Sequence, residues 1–192
     1  MAQVTKAEAT AAKQLNSPLL RLPAELRNLI YRYALGDRTL ILSTIDDETL
    51  RLYQRDIPAF ALLALCKQIH SETVLLPYSL NTFDIDCCFT FKCLVATIPR
   101  THVQAIKKLD LRTLAIWGES NYETCMRLKV FSALEEVTFS YAGSTDTLWH
   151  RDCEERWAEA VKMLREKMPW VATSMRDLRD EILRDDALDF AA

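Results

Sequence analysis

The chain has 192 residues, 49% of them hydrophobic and 27% charged, with a net charge of −3. That balance suits a domain with a real core and excludes a disordered chain. A weakly acidic chain without a basic stripe is not expected to bind nucleic acid. No apolar run reaches the roughly 18 residues of a membrane span, so no membrane partner is expected either.

Residues 1–16, "MAQVTKAEATAAKQLN", lack the apolar stretch of a secretory signal and read as a flexible tail. An intracellular location, in cytoplasm and/or nucleus, follows as an expectation. The six cysteines, at 66, 87, 88, 93, 125 and 153, are then expected to be free thiols.

The first ordered element begins at Leu22-Pro23, where proline presets the opening turn and Glu25 sits at the positive end of the dipole. Leu22, Leu26, Leu29, Ile30 and Tyr33 recur at helical spacing, and Gly36 stops the run. Two β-prone segments, Thr39 to Ile45 and Thr49 to Tyr53, flank the polar turn Asp46-Asp47-Glu48 and read as a hairpin. A second helix is expected over 59–76, with Leu62, Cys66, Ile69, Thr73 and Leu76 inward and Pro77 ending it. The two helices are expected to pack through Leu26, Ile30, Leu62, Cys66 and Ile69.

"LLRLPAELRNLIYRYAL", a hairpin, and "LLALCKQIHSETVLLPYSLNTF" together resemble the fungal F-box-like modules of the two-EXR family over roughly residues 17–86. Leu22, Pro23, Glu25, Leu26, Arg27 and Ile30 match its first helix, with one E-x-R as Glu25-Leu26-Arg27. Leu63, Cys66, Ile69, Glu72, Tyr78, Asn81 and Phe83 match its second half, where Glu72 is followed by Thr73-Val74 instead of a second E-x-R. The resemblance implies an adaptor of the F-box kind, docking a Skp-type protein through Leu22, Pro23, Leu26 and Ile30.

Three hexapeptides then share an L-x-x-L-x-L pattern: Leu80 to Ile85, Ile106 to Leu111 and Leu134 to Phe139, with starts 26 and 28 residues apart. That is the period of a leucine-rich repeat, in which short parallel strands alternate with helices and stack into one core. Alternation predicts outward ladders Thr82–Lys108–Glu136, Asp84–Asp110–Thr138 and Asp86–Arg112–Ser140. Asp84, Asp86, Lys108, Asp110, Arg112 and Thr138 are thus candidates for a partner surface, suited to a basic segment, with Lys108 and Arg112 relieving the Asp84–Asp110 repulsion. From Asp146 or Thr147 to about Lys167 a helix is expected, with Trp149, Cys153, Trp157, Val161 and Leu164 inward as the cap of the stack. A last short helix is expected over "TSMRDLRDEILRDD", with Met175, Leu178 and Ile182 inward.

Catalytic chemistry is not legible. The chain carries three isolated glycines, at 36, 118 and 143, and no nucleotide, zinc-protease or serine-hydrolase signature. Cys66 and His70 stand four apart, but Cys66 belongs to the apolar stripe. Cys87, Cys88, Cys93 and His102 make the one metal-like grouping; adjacent cysteines on a strand end point to opposite faces, so no metal is expected. No catalytic residue and no cofactor are assigned.

The expected fold is α+β: F-box-like helices with an inserted hairpin, then about three parallel strands in a repeat-like β/α stack, capped by a C-terminal helix. The divisions are a tail (1–16), the F-box-like module (17–86), the repeat units (80–145), the helical cap (146–185) and a second tail (186–192). The expected function is protein–protein interaction. The alternative is a small accessory protein or enzyme acting on a small molecule in a pocket under the helical cap.

Overall fold

A computed structural model of the chain describes residues 17–44, 49–53, 58–112, 127–141 and 147–177. The first helix, α1, spans Ala24–Leu35, with Pro23 as its N-cap. Gly36 ends it in an extended conformation, not a left-handed one. Its lack of a side chain is still required: a Cβ there would lie 2.8 Å from the Arg32 carbonyl and 3.2 Å from Leu80 Cβ. The hairpin forms as expected, with β1 (Thr39–Thr44) antiparallel to β2 (Leu50–Tyr53). Its acidic turn, 46–48, lies outside the described residues.

The continuous helix expected over 59–76 is instead three pieces. A 3₁₀ segment covers Pro58–Ala64, α2 covers Lys67–Thr73, and α3 covers Leu76–Leu80. Cys66 is extended at the first break, and Pro77 starts α3 where it was expected to end a helix. Proline fits a first turn, whose N–H groups lack intrahelical partners.

Then come β3 (Thr82–Ile85), α4 (Cys88–Thr97), α5 (Arg100–Ala105), β4 (Lys108–Arg112), β5 (Glu136–Tyr141), α6 (Thr147–Lys167) and β6 (Ala172–Asp177). The strand β6 takes up the first residues of the last helix expected from the sequence, through Met175; the remainder, with Leu178 and Ile182, lies outside the described residues. The helix ending at Lys167 is present, with Leu164 buried. The side chains of Trp149, Cys153 and Trp157 lie outside the described set.

The fold is mixed α/β, built on a six-stranded sheet in the order β2-β1-β3-β4-β5-β6, parallel throughout except for the β1–β2 hairpin. The hexapeptides pair in the expected register: Thr82 with Lys108 with Glu136, and Asp84 with Asp110 with Thr138. Strand order follows chain order from β3 onward. With the usual right-handed crossover, a parallel sheet that always steps the same way places its connecting helices on one face. That face carries Leu40, Leu42, Phe83, Ile85, Leu109, Leu111, Val137 and Phe139, all buried in one core with Leu94, Val103, Phe131 and Leu164. A smaller cluster of Tyr31, Leu35 and Ile69 joins α1 to α2, and Phe60 packs against both clusters.

Asn81 joins the helical part to the sheet. Only 1% exposed, it donates from Nδ2 to the carbonyls of Leu35 (2.7 Å) and Pro77 (2.8 Å). Its Oδ1 accepts from the Arg38 amide at 2.9 Å. Each of these backbone groups, if buried and left unpaired, costs on the order of 1–3 kcal/mol. Asn81→Ala is expected to lower the unfolding free energy by roughly 3 kcal/mol on that scale. Asn81→Asp is expected to do at least as much harm, because it sets a carboxylate against two carbonyls. The midpoint of urea unfolding measures both.

Candidate functional site

Helix α1 turns a different face inward from the one its apolar stripe predicts. Leu26, Leu29, Ile30 and Tyr33 are 48%, 50%, 41% and 80% exposed. The buried residues are Tyr31 and Leu35, nearly half a turn away at about 100° per residue. The expected packing of Leu26 and Ile30 on the second helix is therefore corrected, although Ile69, Leu62 and Cys66 do meet α1 from the other side.

The reason is polar. Arg27 makes a two-pronged ion pair with Glu72 of α2, Nε to Oε2 at 3.0 Å and Nη2 to Oε1 at 2.7 Å. The Tyr31 hydroxyl donates to the same Oε2 at 2.9 Å, and Gln68 Nε2 donates to Oε1 at 3.1 Å. A further Arg27 nitrogen, Nη1, donates to the Leu22 carbonyl at 2.6 Å, fixing the chain just before the helix. The arginine of Glu25-Leu26-Arg27 thus pairs with the one glutamate of α2. Arg27 and Tyr31 lie four apart, so satisfying Glu72 turns both inward and leaves the Leu26–Ile30–Tyr33 row outside. Of the four docking candidates, Pro23, Leu26 and Ile30 are exposed and Leu22 is half-buried.

Hydrogen bonding from Arg27 chiefly holds the Glu72 carboxyl at about 2, down from an ordinary 4.5. Burial, and then the bond to Glu72, push the Tyr31 hydroxyl up to about 12.

The second candidate surface, on the sheet, is paired in register but is not an open acidic ladder. Asp84 and Asp110 are only 6% and 5% exposed. Arg112 reaches back across the strands to grip Asp84, Nε to Oδ1 at 2.9 Å and Nη2 to Oδ2 at 2.6 Å. Arg176, on the unforeseen strand β6, stands 3.8 Å from Asp110. Burial chiefly raises the Asp110 carboxyl; the Ser140 hydroxyl and the cations of Arg176 and Arg112 oppose that, and Asp84 adds to it. Lys108 lies near Glu136 at 4.0 Å, so its ion-pair partner there is Glu136 and not Asp110. Asp86 falls just past the end of β3 and accepts from Thr90 at 2.6 Å, at the start of α4, so the third ladder lacks its first rung. Thr138 shares a hydroxyl bond of 2.9 Å with Ser174 of β6. These side chains bind the strands to one another, and a basic ligand would have to displace Arg112 to reach Asp84.

In the Cys66–His70 pair each side chain has another neighbour, and in the Cys87–Cys88–Cys93–His102 grouping the Cys88 side chain lies outside the described set. His70 Nδ1 faces the Leu63 carbonyl at 3.0 Å, and Cys66 packs in the α1–α2 cluster. Among the described residues no three His, Cys, Asp or Glu side chains stand where they could share a metal. The hollow beside α6 is lined by Ala158, Val161, Lys162, Arg165, Glu166 and Met175, with no cysteine, serine, threonine or histidine in the set. An apolar cavity of about 450 Å³ lies at the other end of the sheet, beneath the 3₁₀ segment, α2 and α3.

Residues 43–184 match the family described as a domain of unknown function (DUF7730). The chain belongs to that family. The match begins inside β1, so in this DUF7730 chain α1 precedes the matched stretch, while β2 to β6 and most of the cavity lie within it. No curated protein matches the chain, and neither does any solved structure. No helix among the described residues is long and apolar enough to cross a membrane.

The Arg27–Glu72 pair predicts an acid signature. A carboxyl whose folded value lies below its unfolded one stabilises the fold above the unfolded value, and that stabilisation disappears as pH falls through the folded value. Stability is expected to decline between about pH 4.5 and pH 2. Glu72→Gln should lower the melting temperature at pH 7 and flatten that part of the profile, as thermal melts across the range would record.

Proposed function

We propose that this chain is an intracellular protein–protein interaction module of the F-box-like kind, and that the outer face of α1 docks a Skp-type adaptor while the sheet domain carries the surface that recruits a second protein. The observation that carries this reading is the exposed row of Leu26, Leu29, Ile30 and Tyr33 on a helix whose opposite face is locked in place by Arg27, Tyr31 and Leu35. Scattered apolar residues on a surface are ordinary; a contiguous row on a rigidly held helix is the pattern of helix-mediated association. The match of Leu22, Pro23, Leu26 and Ile30 to the first helix of F-box-like modules supports a Skp-type adaptor as the occupant. The inward role of Arg27 and Glu72 supports the two-EXR likeness, since it gives both residues a structural task.

Purified Skp-type adaptor should be retained by the immobilised full chain. Ile30→Glu should cost at least about 2 kcal/mol of binding, roughly thirtyfold in affinity, if Ile30 is an anchor of the contact. Because Leu26 and Ile30 are exposed, Leu26→Glu and Ile30→Glu should change the unfolding free energy by no more than about 0.5 kcal/mol. Absence of capture by the native chain, or capture unchanged in the double variant, rejects the docking reading.

A further inference from the structure

The two edges of the sheet differ. β2 is a short strand of four residues, whereas β6 has six, paired one to one with β5 from Glu136–Ala172 to Tyr141–Asp177. One-to-one pairing leaves no bulge in the strand. β6 ends the strand order, so among the described residues nothing pairs with its far edge. The N–H and C=O groups on that edge need water or an extended backbone beside them. Proteins commonly blunt such an edge with a proline, a lysine, a bulge or a very short strand. "ATSMRD" carries none of these. Its arginine, Arg176, reaches back over the sheet to within 3.8 Å of Asp110.

The same edge is apolar on its inner side. Met175 pairs with buried Phe139 and so lies on the core face of the sheet, yet it is 50% exposed. It forms one wall of the hollow whose other wall is α6, with Val161 between Ala158 and Lys162. The exposed side of α6 indicates what completes that hollow. Glu155, Ala158, Glu159, Lys162, Arg165 and Glu166 recur at three- and four-residue spacing, a single row along the helix. Two carboxylates lie in the first half of the row and both cations in the second. A second α6 running antiparallel to the first sets Glu155 and Glu159 of each helix beside Lys162 and Arg165 of the other. The surface is therefore complementary to itself, which a two-fold contact requires.

We propose that a second copy of this chain pairs with the far edge of β6, antiparallel, about a two-fold axis normal to the sheet. The two six-stranded sheets become one, and the two α6 helices lie side by side on its inner face. Such an axis keeps core face with core face, so opposed residues must come from the same face. It passes at Ser174, opposing 172 to 176 and 173 to 175, or at Met175, opposing 173 to 177 and 174 to 176. In either register Met175 faces the second copy's Thr173 or Met175, and the hollow closes around them. The contact uses no residue of α1, so it stands or falls separately from the docking of an adaptor.

Light scattering on the size-fractionated full chain should give twice its 22.1 kDa mass, falling toward the monomer on dilution. Met175→Lys sets a charge on the inner side of the edge and should leave a folded monomer. Lys162→Glu with Arg165→Glu should weaken the dimer at least about tenfold, and adding Glu155→Lys with Glu159→Lys should restore it. All four side chains are exposed, so circular dichroism should show the fold unchanged. Under mild oxidation Ser174→Cys or Met175→Cys, whichever lies on the axis, should give a disulfide-linked dimer beyond any formed by the native chain, and Ala172→Cys should not. If Met175→Lys does not fold, the charge swap and the cross-links decide. A monomer at every concentration, a dimer that survives Met175→Lys in a folded chain, a charge reversal without effect on affinity, or no added cross-link at 174 or 175 would each overturn the proposal.

Discussion

The side-chain amide of Asn81 is the constraint on which the rest of this structure depends. In one buried group it ties the last carbonyl of α1, the first turn of α3 and the amide that leads into β1. The next residue, Thr82, opens β3 and donates its own amide to the Arg38 carbonyl at 3.0 Å. Thr39 and Thr82 are the first matched pair of the parallel ladder. Asn81 therefore fixes where two strands that are far apart in sequence begin, and every later strand takes its register from them. Because strand alternation has a period of two, a slip of one residue here would turn Phe83 and Ile85 to solvent and Asp84 into the core. Gly36 makes the arrangement possible by letting the end of α1 come against Leu80.

Much of this architecture was legible in the sequence where local pattern and tertiary context agree. The three hexapeptides announce parallel strands and their register, because each must bury the same alternate positions against a shared layer of helices. The hairpin and the extent of α1 follow from β-propensity and from Gly36. The face of α1 was not legible. Its sequence offers two stripes at helical spacing, Leu26–Leu29–Ile30–Tyr33 and Arg27–Tyr31–Ala34–Leu35, and hydrophobicity alone favours the first. What selects the second is a carboxylate 41 residues beyond Tyr31 that periodicity cannot see. Its one trace in the sequence is the E-x-R arginine in α1 with a lone glutamate in α2. The strand β6 was hidden for a related reason: Met175 and its neighbours fit a helical spacing, and only the waiting edge of β5 makes "ATSMRD" extended. The fate of Asp84 and Asp110 depends on the reach of Arg112 and Arg176 across neighbouring strands, which pairing in register does not specify.

The two faces of the sheet divide the labour. The inner face supplies the apolar core and, at the hairpin end, stops short of filling its space. The outer face carries charges that are largely spent on one another. Arg112 of β4 grips a carboxylate on the adjacent β3, and Arg176 of β6 reaches over β5 toward one on β4, so these ion pairs run across the strands and help hold them together. A polar face of this kind keeps the strands soluble on one side while adding specificity to their pairing.

The sheet grows in the order in which its strands are synthesised from β3 to β6, each new parallel strand adding to the edge left by its predecessor. Contacts between nearest neighbours dominate such an arrangement, as they do in solenoids. Assembly can therefore proceed on the ribosome without waiting for the C-terminus. As soon as Thr82 emerges, the Asn81 clamp and the β1–β3 pair can close, and the later units then zip onto a template that already exists. The same order sets how the protein comes apart: opening should begin at β6 and travel inward, reaching the clamped end last. Slow amide exchange would then be concentrated in β1 and β3, and the half-life of the β6 edge would set how readily a protease gains its first cut.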